Sequence, residues 1–217
     1  GDQATSPQWP VNIDVRPIIN AGTVDGFASW SLAATRTEGQ NEGGAGVSLA
    51  SVATHTFVDS DGSESVVSYT FNLSNLIADA GIAQRVHDLL GPTAGLDQVI
   101  AAGLVTGVFS YNSASGTITV LAGNIAGVAL SGTLLLDSNQ DFSIPVEALV
   151  QDTALLSSGT QTVTKIESGQ LTVDLVGTAD VPTVFATGAS GNAGTAIPIT
   201  LGGASTDTDV ALGRTLS

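Results

Sequence analysis

Short runs of β-branched and apolar residues, interrupted by Gly, Asn, Asp and Ser, set the rhythm of this chain. They fall at 46–52, 66–71, 107–111, 117–121, 130–136, 142–150, 160–165 and 170–176. Such runs, with turn signals recurring every eight to twelve residues, predict an all-β sandwich or barrel. In 170–176 the alternation is clean, with Leu171, Val173 and Leu175 on one face and Thr172 and Asp174 on the other. One face of that strand meets a core and the other meets water.

The segment 72–103 breaks the rhythm. Leu76, Ile77, Ala80, Ile82, Ala83, Val86, Leu89 and Leu90 form a helical stripe that ends at Gly91-Pro92, with Ser74 as the expected cap, and 96–102 adds a second short helix. A small helical insertion at one end of a β-sandwich is therefore expected.

The pattern also repeats. Asn41-Glu42-Gly43-Gly44-Ala45-Gly46-Val47-Ser48-Leu49, followed by Asp59-Ser60-Asp61, returns as 191–201 followed by Asp207-Thr208-Asp209, displaced by 148 residues from Asp59 to Asp207. Val11-Asn12-Ile13-Asp14-Val15 returns as Leu171-Thr172-Val173-Asp174-Leu175, displaced by 160. Self-similarity of this kind marks a tandem array. The expected division is a terminal strand and linker of one unit at 1–20, a complete sandwich at 21–180 with its insertion at 72–103, and the opening of the next unit at 181–217. The alternative is that the two ends complete one split domain. Pro17 and Pro182 stiffen the two linkers.

Composition narrows the class. Twenty acidic residues against five basic ones give a formal charge of −15, which opposes nucleic acids and anionic membrane surfaces and attracts cations. Only 12% of residues are charged, so the carboxylates stand on a plain Gly/Ala/Ser/Thr/Val background as candidates for specific sites. The absence of cysteine excludes disulfides and thiolate metal chemistry. A secreted module without disulfides needs another staple, and a bound metal is the usual one. No run approaches a membrane span of about 18 apolar residues, and any secretion signal is expected outside this segment.

Asp59-Ser60-Asp61-Gly62-Ser63-Glu64 is the densest acidic motif. Alternate carboxylates on a glycine-containing turn let oxygens converge on a hard cation, and calcium accepts six to eight of them. The same residues also make an ordinary polar turn. An EF-hand is excluded, because the twelfth position counted from Asp59 is Thr70 rather than Glu. Asp207 and Asp209 repeat the two aspartates, whereas Val210 and Leu212 replace Gly62 and Glu64. Glu42 lies upstream in the same unit, Asp180 sits beside the second linker, and Asp152 lies near a strand end; a cation shared with a linker would fix the angle between units. Asp137-Ser138-Asn139-Gln140-Asp141 reads as a solvated turn.

Enzymatic chemistry has little to stand on. His55 and His87 are the only histidines, His55 reading as an outward strand residue, and no Gly-x-Ser-x-Gly elbow occurs. No enzyme is expected. Trp9 and Trp30 read as packing residues, since only 5% of the chain is aromatic and no aromatic stripe forms a sugar platform.

In order along the chain, Glu42–Leu49, Asp59–Glu64, Gly116–Val120, Asp141–Asp152 and Leu171–Pro182 resemble the tandem cadherin-like or bacterial immunoglobulin-like repeats of giant RTX adhesins exported by type I secretion. The resemblance covers nearly everything except 72–103. It implies a Greek-key Ig/cadherin-like β-sandwich, extracellular at the bacterial cell surface, with Ca2+ held by Asp59, Asp61 and Glu64, then Asp180, Asp152 and Glu42. Its implied role is a monomeric extender in attachment or biofilm formation, whose partners are neighbouring repeats of the same chain. The rival reading is a module near the adhesive tip that binds a sugar or peptide through 72–103.

Overall fold

The computed structural model describes residues 26–37, 46–58, 62–135, 141–156, 159–176, 183–188, 190–194, 196–197 and 199–204. In chain order its elements are β1 (Phe27–Trp30), β2 (Ala33–Thr37), β3 (Val47–Ser48), β4 (His55–Phe57), β5 (Glu64–Asn72), α1 (Ala80–Leu90), α2 (Leu96–Ala101), β6 (Val105–Thr106), β7 (Ser110–Asn112), β8 (Thr117–Leu121), β9 (Ala129–Leu130), β10 (Phe142–Leu156), β11 (Gly159–Val176), β12 (Thr183–Thr187) and β13 (Thr200–Ala204). The described chain is predominantly β, as its patterning predicts.

Six strands form the main sheet in the order β2-β11-β10-β5-β8-β7. All its pairings are antiparallel except β2 with β11. One face is inward: Phe142, Ile144, Val146, Ala148 and Val150 of β10 are buried, together with Leu171, Val173 and Leu175 of β11 and Tyr69 and Phe71 of β5. The three β11 residues are those set on one face by the alternation. They share a core with Val47 and Leu130 of the small β3-β9-β6 sheet, Leu49 and Val52 of a 3-10 turn, Leu134 and Leu135 of another, and Ile82 and Val86 of α1. β1–β4 and β12–β13 are separate two-stranded pairs.

Strand lengths depart from expectation. The runs 160–165 and 170–176 are parts of one 18-residue strand, β11, whose pairing with β10 continues through Ser168 and Gly169. Gly169 reads as a break but is a site of close approach: a Cβ there would lie 2.5 Å from Leu32 Cδ1 and 3.1 Å from Trp30 Cζ3. Likewise β10 extends to Leu156, six residues past the expected end at Val150. Of the run 130–136, Leu130 ends the two-residue strand Ala129–Leu130 and Gly132–Leu135 form a 3-10 turn; 136 lies outside the described residues.

The helical insertion is present, with a different cap. α1 begins at Ala80, where Asp79 Oδ1 accepts from Ile82 N at 3.0 Å. Ser74 lies upstream in a turn, its N–H donating to Asn72 Oδ1 at 3.0 Å and its hydroxyl to Ser115 O at 3.3 Å. At the other end the Gly91 N–H donates to His87 O at 2.8 Å, and its φ of 103° suits glycine. Asp79→Ala is expected to cost about 1 kcal/mol by leaving a first-turn N–H without its acceptor, measured as a shift in the urea midpoint.

Candidate functional site

Two of the eight candidate ligands lie among the described residues, and the sheet brings them together. Glu64 opens β5, Asp152 lies in β10, and the two are direct antiparallel partners. Directly opposed residues on one face have Cβ atoms about 5 Å apart.

The register that opposes them depends on a bulge. Leu149 pairs with Ser68, but Val150 pairs with Val66, so Val67 is an extra residue on β5. Tyr69 and Phe71 point inward on one side of it. Strict alternation from Tyr69 would turn Val67 and Ser65 inward and Glu64 outward. The bulge reverses that parity and sets Val66 and Glu64 on the face of Val150 and Asp152.

Asp152 continues the inward row of β10, at 3% exposure, and its Oδ1 is buried with no hydrogen-bond partner. One carboxylate oxygen of Glu64, Oε2, is buried as well. Like charges facing each other across a strand pair are unfavourable, and burial raises their cost. Lys165, the only lysine, pairs with Val150 on the same face, and its Nζ lies 2.8 Å from Glu167 Oε1. Thr153 N donates to Ser63 O at 3.3 Å and so ties the start of β5 to β10.

These features fit a hard cation. Two carboxylates supply up to four oxygens, and calcium takes six to eight. Among the described residues no group of three or more His, Asp or Glu side chains converges, so Glu64 and Asp152 alone would supply only part of such a shell. Asp59, Asp61, Glu42, Asp180, Asp207 and Asp209 lie outside the described residues. Gly62, between Asp61 and Glu64, has φ 81° and open space around it, a left-handed turn residue two positions before β5.

Other candidates resolve differently. His55 is not an outward residue: its ring packs 4.6 Å from Phe27 and 5.0 Å from Phe57, beside Trp30, whose Nε1 donates to Val52 O at 2.7 Å. Trp30 is thus a packing residue, as its isolation implies. Burial is the main influence on His55 and lowers its pKa from 6.5, against the opposing effect of hydrogen bonds to the Val52 and Ala53 backbone. A lowered folded-state pKa means that the unfolded chain takes up the proton first. The His55 contribution to stability is therefore present above pH 6.5 and is lost as pH falls below it. In chelator, His55→Phe is expected to flatten the fall in melting temperature between neutral pH and about pH 5.5. Asp141 is a structural group, its Oδ1 accepting from Leu175 N at 3.0 Å.

Comparison with protein-family models, with curated proteins and with solved structures gives no match.

Proposed function

We propose that this chain is a calcium-stabilised structural module of a large extracellular bacterial adhesin, acting by spacing and stiffening rather than by catalysis. The observation that carries the reading is the buried Asp152 carboxylate, one oxygen unpartnered, set opposite Glu64 in a chain of net charge −15. In this reading Glu64 and Asp152 are the strand-borne ligands, and the acidic turn contributes Asp59 and Asp61. The cation neutralises the opposed carboxylates and ties the acidic turn to β10.

The finer view of the fold, an Ig- or cadherin-like Greek-key sandwich, belongs to the same proposal. Its support is a large sheet packed over a smaller one and an early strand, β2, closing on the late strand β11. Tandem organisation is supported by a likeness between two strand pairs. β1 and β12 contain Phe27-Ala28-Ser29 and Phe185-Ala186-Thr187, and each pairs antiparallel with a strand that follows it after an intervening segment. The partners would be neighbouring units of the same chain, and the module itself a monomer at the cell surface. Among the described residues no helix is long and apolar enough to cross a membrane.

Thermal unfolding in calcium, in magnesium and in chelator tests this reading. Calcium is expected to raise the melting temperature, and magnesium to raise it less, because it dehydrates reluctantly and demands octahedral geometry. Identical melting in all three conditions would remove the proposal.

A further inference from the structure

At the other end of β5, about 27 Å from Glu64 by strand rise, the helical insertion and the β7–β8 hairpin enclose an open cavity of about 310 Å³. That is the lower end of the range for small-ligand sites. Its walls mix apolar Ile77 and Leu96 with Asp97, Gln98, Tyr111 and Ser113.

The polar groups are held in place. Asn72 and Asn112 brace the two rims, their Oδ1 atoms accepting from Ser74 N at 3.0 Å and Ala114 N at 3.1 Å. Gln98 Oε1 accepts from Gly95 N at 2.9 Å, which leaves its Nε2 as a donor. The Tyr111 hydroxyl donates to Asp97 Oδ1 at 2.5 Å, tying the hairpin to α2. Burial first, then the hydrogen bond and charge of Asp97, push the Tyr111 phenol up to about 12, so it stays protonated and keeps Asp97 oriented.

From this arrangement we infer that the cavity is a binding site for a neutral saccharide, with Asp97 and Gln98 as acceptor and donor for adjacent sugar hydroxyls and Ile77 and Leu96 as the apolar wall. The chemistry disfavours charged ligands of either sign. A net charge of −15 repels anions. A cationic side chain would be met by a single carboxylate already bonded to a phenol. A pyranose instead offers a hydroxyl edge and a C–H face, matching walls that mix hydroxyl, amide and carboxylate groups with apolar side chains.

The test is an amide chemical-shift titration of the full chain, in calcium, with the methyl α-glycosides of glucose, galactose and mannose, methyl β-N-acetylglucosaminide, and lysine amide as a cationic probe. At least one glycoside is expected to shift the amides of Asp97, Gln98 and 113–116 saturably at millimolar concentration. Asp97→Ala should weaken that binding about tenfold or more. Tyr111→Phe, which keeps the ring and the fold, should weaken it as well, and Asp174→Ala, at an exposed carboxylate outside the cavity, should not. The inference is overturned if no glycoside shifts these amides, if the shifts persist in both cavity variants, or if only lysine amide produces them. The calcium reading fails separately, through melting that ignores calcium, and its failure leaves the glycoside titration unaffected.

Discussion

Asp152→Asn is expected to reverse its effect on stability between calcium and chelator. In chelator the wild-type protein carries Asp152 buried opposite Glu64 with one oxygen unpartnered. Asparagine keeps the shape and removes the charge, so the variant should melt at or above the wild-type temperature. In calcium the order inverts. A cation that binds only the folded state contributes about 2.7 kcal/mol at a hundred times its Kd. For a chain of this length that corresponds to a melting shift of about 5–10 °C. The wild type should gain that shift and the variant only a small part of it. A purely structural aspartate predicts a variant that is less stable by the same amount in both buffers.

Deleting Ser65 is expected to be costly in a different way. Without it, Glu64 takes the outward position opposite Gln151 and Asp152 meets Ser63, while Val66 and the core anchors Tyr69 and Phe71 keep their places. Placing a serine hydroxyl on the inward face and shortening the link from β4 should together cost about 1–3 kcal/mol. The calcium response should disappear with the register. Val67→Ala is the comparison: it keeps the register and should keep the response while losing under about 1 kcal/mol. Urea unfolding of the three proteins, with and without calcium, separates the two effects. A deletion variant that still responds fully to calcium would mean that Glu64 is not a ligand.

The β architecture was legible because strand alternation and turn residues are local signals, and Leu171, Val173 and Leu175 are buried as their spacing requires. The helical insertion was legible through its apolar stripe and the Gly91-Pro92 stop. Its cap was not, because Ser74 and Asp79 are equally good capping residues by type and only the turn at 73–79 decides between them. The length of β11 was hidden by Gly169, which reads as a turn residue but makes room for Trp30 and Leu32.

The site was half legible. Glu64 and Asp152 are both readable as candidate ligands, but their juxtaposition is not, because it depends on the bulge at Val67, which no local signal marks in a run of β-branched residues. Asp152 carried a signal that reading it as a strand-end residue obscures: the inward parity of Phe142, Ile144, Val146, Ala148 and Val150 falls next on Asp152. An acidic residue in phase with a core row is a stronger indication of a buried carboxylate than the acidic turn that dominates the sequence. The contact between Asp97 and Tyr111 joins two elements 14 residues apart and follows from how the insertion packs.

Calorimetric titration of calcium into chelator-stripped protein tests the central claim most directly. The account predicts saturable binding in the ~10⁻⁴–10⁻³ M range of extracellular modules, weakened about tenfold or more in Asp152→Asn. No saturable binding to the wild type, or equal binding to the wild type and Asp152→Asn, would contradict it.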